Sequence, residues 1–294
     1  MKIILSLIII LILSKDICYS QYKFHLIKTI TPSPSQQNFI VNALCCNNNY
    51  FYISDDIQKN IFKFDINGNL ILSFNRNLNN YFELSSSTAL KVDSNIRIYS
   101  CNPDNNNIVV FNDSGNRIKS FGEFGYKQNE LNEPAELEIS SNGYIYVLEK
   151  LNHRVHKFDK DFNTSLIFGN FGISPMNLYF PQSIALNNND ELLIIDKTVK
   201  EIKYFNSYGN YIKSLNINLN KSYQYQIETD INNNIYILNT TKPEIYIYNS
   251  YGTLIFYTIL NLTPPLRIYI NNSVYIAESS PLKINEYSLI YETN

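Results

Sequence analysis

Pro134-Ala-Glu-Leu-Glu-Ile139 opens a stretch that runs on through Ser140-Ser-Asn-Gly143, Tyr144-Ile-Tyr-Val-Leu148, Leu151-Asn-His-Arg154, Val155-His-Lys-Phe158 and Thr164-Ser-Leu-Ile-Phe168. The first segment alternates polar and apolar residues, the pattern of a half-buried strand. Asn142-Gly143 suits the positive φ of a tight hairpin turn. Tyr144–Leu148 is rich in β-branched and aromatic residues and reads as a second strand. After the turn at Leu151–Arg154, Val155–Phe158 alternates again, and Thr164–Phe168 supplies a fourth strand. Four short antiparallel strands without a helix predict one blade of a β-propeller.

Outward from that stretch, the twelve-residue interval between Tyr146 and Phe158 recurs. It separates Tyr52 from Phe64, Tyr99 from Phe111, Leu193 from Phe205, Tyr236 from Tyr248 and Tyr275 from Tyr287. The first four pairs advance in steps of 47, the next by 43 and the last by 39. A period in this range marks a repeat architecture. Turn glycines stand four places after the third-strand aromatic at Gly68, Gly115, Gly209 and Gly252. The sixth unit has no room for a fourth strand before Asn294. Ile27-Lys-Thr-Ile30, ahead of the first unit, matches the fourth-strand segments Ile118-Lys-Ser-Phe121 and Ile212-Lys-Ser-Leu215. The expectation is an all-β, six-bladed propeller over residues 21–294, its last blade completed by an N-terminal strand that hides the open edges.

Composition agrees with a packed domain: 45% of the 294 residues are hydrophobic and 17% charged. A net charge of −2 gives no general attraction to nucleic acid or anionic membrane. Lys2, the apolar run Ile3–Leu13 and the small residues Cys18 and Ser20 lay out a signal peptide over residues 1–20. The expected product is a monomer, secreted or in the secretory lumen, with no membrane span after cleavage. Cys45, Cys46 and Cys101 then remain; an odd set carries at most one bridge, and none is expected.

The third repeat resembles the NHL-repeat family of β-propellers, through Phe121-Gly122, Gly125, Pro134, Ile145-Tyr146-Val147, Asn152-His153-Arg154-Val155 and Phe158-Asp159. The fourth carries Phe168-Gly169, Gly172 and Pro181, each 47 places later. An acidic or amide residue follows the second-strand anchor by three places in every unit: Asp55, Asn102, Glu149, Asp196, Asn239 and Glu278. The resemblance implies a six-bladed ring whose loops carry contacts. It also brings in two enzyme comparisons, secreted amidating lyases with an axial zinc and lactonases with axial calcium.

Candidate chemistry is sparse. His25, His153 and His156 fall on an outer strand, in a turn and on a third strand, so they do not converge as a zinc site requires. Twenty places before each third-strand anchor stand Leu44, Lys91, Glu138, Ala185, Glu228 and Arg267. Lys91 beside Glu138, and Glu228 beside Arg267, predict structural charge pairs around the axis. With cations next to the carboxylates, neither axial calcium nor any other cofactor is expected. No nucleophile elbow or phosphate loop occurs. Asn112, Asn163, Asn220, Asn239 and Asn271 open glycosylation sequons in predicted turns; Asn261 opens another, disfavoured by Pro264. The long inter-blade loops expose Tyr81, Phe124, Tyr126, Lys127, Arg154, Phe171 and Tyr179 as a candidate contact face. The leading expectation is a non-enzymatic module binding a protein or glycan there. Its alternative is a metal-dependent lactonase- or lyase-like enzyme with an axial site.

Overall fold

A computed structural model describes residues 22–33, 38–47, 49–75, 84–264 and 266–291. The expected leader and Tyr81 lie outside them. The described residues form six four-stranded antiparallel sheets. In blades one to five the strands lie in chain order, from the axis outward. In the sixth, Leu266–Ile270 is innermost, and the N-terminal strand Tyr22–Ile30 pairs antiparallel with Lys283–Tyr291 on the outside. Chain start and chain end thus share one sheet, as the fourth-strand match predicts, and the ring closes without a free inner edge. Among the described residues no helix is long and apolar enough to cross a membrane.

Packing follows from the period-two pattern, which gives every strand two faces. The second-strand aromatics Tyr52, Tyr99 and Tyr146 and the third-strand Phe64, Phe111, Phe158 and Phe205 are almost fully buried. They sit in apolar clusters that fill the wedges between neighbouring blades, such as Tyr52 with Phe74, Leu90 and Phe111. Gly115 adopts φ +76°, and a Cβ there would lie 2.7 Å from the Phe74 ring of the preceding blade, so turn and wedge are fitted together.

The innermost strands of adjacent blades are not laddered to one another, so their backbone groups need other partners. Side chains provide several: Ile227 N–H donates to Ser183 Oγ at 3.1 Å, and Ile268 N–H to Gln226 Oε1 at 3.0 Å. Cys45, Cys46 and Cys101 are free and buried; burial pushes the Cys46 thiol up to about 12, which keeps it protonated.

Candidate active site on the axis

The innermost strands are Val41–Cys46, Leu90–Val92, Pro134–Ile139, Pro181–Leu186, Tyr225–Thr229 and Leu266–Ile270. Lys91, Glu138, Ala185 and Glu228 each pair directly with the second-strand anchor, eight places later. The interval is seven in the first blade, Cys45 to Tyr52, and six in the last, Tyr269 to Tyr275. Shorter hairpins shift the inner strand, so Arg267 is not level with Glu228. The expected Glu228–Arg267 pair is therefore corrected. Arg267 Nε donates to the Asn42 carbonyl at 2.5 Å and Nη2 to Asn42 Oδ1 at 3.3 Å.

Lys91 takes both carboxylates. Its Nζ lies 2.7 Å from Glu138 Oε1 and 3.0 Å from Glu228 Oε1, and 5.4 Å from the Tyr269 ring centre. Burial pulls the Lys91 ammonium down, but the two carboxylates outweigh it and hold it well above the ordinary lysine value. Burial pushes Glu138 and Glu228 up, and Lys91 only partly offsets that. One turn of the pleat further along, Glu136 accepts from Ser183 Oγ at 3.1 Å, and burial pushes it up to about 7. Neither Glu136 nor Tyr269 stands at the counted positions. The polar–apolar alternation of Glu136-Leu137-Glu138 was the signal for Glu136, whereas the two-residue shortening that places Tyr269 has none.

Lys91, Glu138, Glu228 and Tyr269 border a cavity of about 440 Å³ whose walls are the first-to-second-strand hairpins, including Ser140, Asn187, Asp230 and Asn271. In the other direction the axis narrows to a void of about 10 Å³ bordered by Leu44, Glu136, Gln226 and Arg267. The open end is opposite the long inter-blade loops. A divalent cation does not fit the donors present: the Lys91 ammonium stands between the two carboxylates a cation would need. Among the described residues no three His, Cys, Asp or Glu side chains gather as a metal site would require.

The loop end uses its charges internally. Arg154 is buried: its Nε meets Glu149 Oε1 at 2.5 Å, and its Nη groups donate to the carbonyls of Tyr126 and, at 3.0 Å, Glu130. Arg154 is therefore a tie for the 122–134 loop, not a contact residue. One blade on, buried Lys203 donates to the carbonyls of Asn177 at 2.6 Å and Ser174 at 3.2 Å, and Asp196 accepts from the N–H groups of Tyr179 and Phe180. The recurring acidic or amide place thus serves loop backbones: Asp55 accepts from Ile40 N–H, Asn102 from Ser85 N–H and Glu278 from Thr263 N–H. Phe124, Tyr126 and Phe171 are 71%, 72% and 60% exposed, Lys127 is exposed and Tyr179 half-buried.

His25 lies on the outermost strand, and His156 is buried with Nε2 2.8 Å from Thr164 Oγ1, so the histidines stay apart. Among the sequons, Asn163, Asn220 and Asn271 are exposed and Asn112 half-buried. Asn239 is a correction. It ends a second strand, is fully buried, and its Oδ1 accepts from the N–H groups of Thr241 and Lys242, which leaves no room for a glycan.

No family model and no curated protein sequence matches the chain. Solved structures do. Virginiamycin B lyase from Staphylococcus aureus aligns at 12% identity and a TM-score of 0.63, over 92% of this chain and all of that one. A gluconolactonase from Xanthomonas campestris aligns at 14% identity and a TM-score of 0.65, over 86% and 87%. At such identity the likeness shows the six-bladed propeller fold. The similar structures named here are enzymes, and the NHL resemblance stays with the quoted residues of the third and fourth repeats.

Proposed function

We propose that this propeller is an enzyme with its active centre on the axis at the hairpin end, a hydrolase or lyase for a polar, hydroxyl-bearing substrate. The observation that carries the reading is Lys91 held between Glu138 and Glu228 on the floor of an open cavity. Two carboxyls that touch one ammonium lie within about 6 Å of each other, close enough to act on the same substrate bond. Burial raises both, so that one retains a proton near neutrality, while Lys91 favours the ionised form of the other. A protonated acid and a carboxylate base side by side match the needs of proton-in, proton-out catalysis. The Tyr269 ring and the polar side chains of Ser141 and Asn272 border the cavity and suit a hydroxylated substrate. The chemistry uses these side chains alone; no step passes through a metal. The enzymatic nature of the similar structures supports the axial alternative over the loop-face binding module.

The test is turnover of a panel of chromogenic lactones, esters and glycosides. Glu138→Gln and Glu228→Gln should each lower kcat at least 100-fold, within the usual contribution of general acid–base catalysis. Turnover unchanged in both variants, or absent across the panel in the native chain, would overturn the proposal. A second reading rests on the exposed loop aromatics Phe124, Tyr126 and Phe171, which suit a partner protein. Crosslinking that the triple serine variant abolishes would support it.

A further inference from the structure

The axial cavity is not isolated. A cavity of about 620 Å³ lies between blades two and three at the same end, bordered by Asp93, Asn95, Arg97, Asn142 and Lys160. It shares Val92, Ile139, Ser140 and Ser141 with the axial cavity. A third, of about 490 Å³, lies between blades five and six, bordered by Tyr22, Asn232, Ser273, Ser288 and Tyr291. It shares Asp230, Ile231, Ile270, Asn271 and Asn272 with the axial cavity. In a six-membered ring, the gap between blades two and three stands directly across from the gap between five and six. The three spaces therefore line up as one groove across the hairpin face, with Lys91, Glu138 and Glu228 at its midpoint.

Each segment has the volume of a complete small-ligand pocket. A compact substrate would fill the centre and leave both arms empty, so the shape calls for a chain. The lining selects among chains. Its commonest members are neutral amide and hydroxyl side chains such as Ser94, Asn95, Asn142, Asn232, Asn272 and Ser273. The charges in the arms are of both signs, with Arg97 Nε already 2.7 Å from Asp93 Oδ2, which argues against a polyanionic backbone. Aromatic rings lie at the centre and one end: Tyr269 at the axis, and the Tyr22–Tyr291 pair, 5.1 Å between ring centres, at the rim. Amides for hydroxyls and ring faces for C–H surfaces are the recognition set of a carbohydrate.

We infer that the groove binds a linear oligosaccharide lengthwise and presents an internal linkage to Glu138 and Glu228. This deepens the axial reading and rests on it for the catalytic step alone; length-dependent binding is a separate property.

The experiment is isothermal titration calorimetry of the full mature chain. The probes are β-1,4-linked glucose, β-1,4-linked N-acetylglucosamine and β-1,4-linked mannose, each from one to six units. At least one series should tighten tenfold or more between one and five units. Asn142→Trp in one arm and Asn272→Trp in the other, both at exposed hairpin positions, should each remove most of that gain while the melting temperature is kept. Affinity independent of length, a gain untouched by both tryptophans, no binding in any series, or preference for a polar decapeptide pool would each overturn the inference. The two readings fail separately. A chromogenic glycoside of a single unit whose turnover Glu138→Gln abolishes, with no gain from length, keeps the axial enzyme and sinks the groove. A gain from length with turnover indifferent to Glu138→Gln and Glu228→Gln does the reverse.

Discussion

The two ends of the propeller hold similar buried charges to opposite effect. At the loop end, Arg154 and Lys203 reach backbone carbonyls as well as Glu149 and Asp196, so each donor is spent within its own loop. At the hairpin end, Lys91 meets the carboxylates Glu138 and Glu228 at the edge of an open cavity. Charge surrounded by its own chain is structural. Charge that faces an open space, with raised carboxyls beside it, is equipped for chemistry. The short hairpins, opposite the long loops with their exposed aromatics, border that open space.

Four measurements press on that contrast, and the largest effect belongs to the loop end. Arg154→Ala leaves Glu149 buried without its cation and should cost about 3–5 kcal/mol in chemical denaturation. A loss under about 1 kcal/mol would mean that the tie contributes little.

Lys91→Met should cost less, about 2 kcal/mol near neutral pH, because Glu138 and Glu228 border solvent and can take up protons. The sign follows from burial, which raises both carboxyls above their unfolded values. The folded state keeps its stability below the unfolded pKa near 4.3 and loses it as pH rises through the higher folded values. The deficit of the variant should therefore shrink toward pH 4. A deficit that grows on acidification would contradict this account.

Glu136→Gln tests the same logic with one group. Burial places Glu136 at about 7, so the native chain loses stability as pH rises from about 4.3 through that value. Glutamine cannot ionise. The variant should match the native chain at pH 4 and exceed it at pH 8, with the advantage growing as pH rises through about 7. Equal stability at both values would show that Glu136 is better solvated than its position implies.

The smallest effect is expected where exposure is greatest. Phe124→Ser and Tyr126→Ser should each change stability by less than about 0.5 kcal/mol and leave turnover intact. A larger loss of stability would show that these rings pack against the loop.

Much of this was legible in the chain. Hairpin pairing requires local complementarity only, so the interval from Tyr146 to Phe158, repeated from Tyr52 to Tyr287, carries the blade count directly. The fourth-strand likeness of Ile27–Ile30 carries the closure. Lys91, Glu138 and Glu228 could be picked out because a polar residue between apolar ones on an inner strand must face away from the wedge. Arg267 and Tyr269 were not legible, because counting back from an anchor assumes equal hairpins. The last blade shortens its own by two residues, which moves every inner-strand side chain by one layer. Arg154 and Asn239 look exposed in a turn-rich sequence, yet the loop backbone closes over both.

By itself, then, the sequence determined the repeated unit, the number of blades and how the ring is shut, since these depend on contacts between residues near in the chain or on matching patterns. Only the tertiary structure decided which end of the axis stays open and that Lys91 takes Glu228 as well as Glu138. Those outcomes depend on the heights of six separate strands around one axis, which small differences in hairpin length reset.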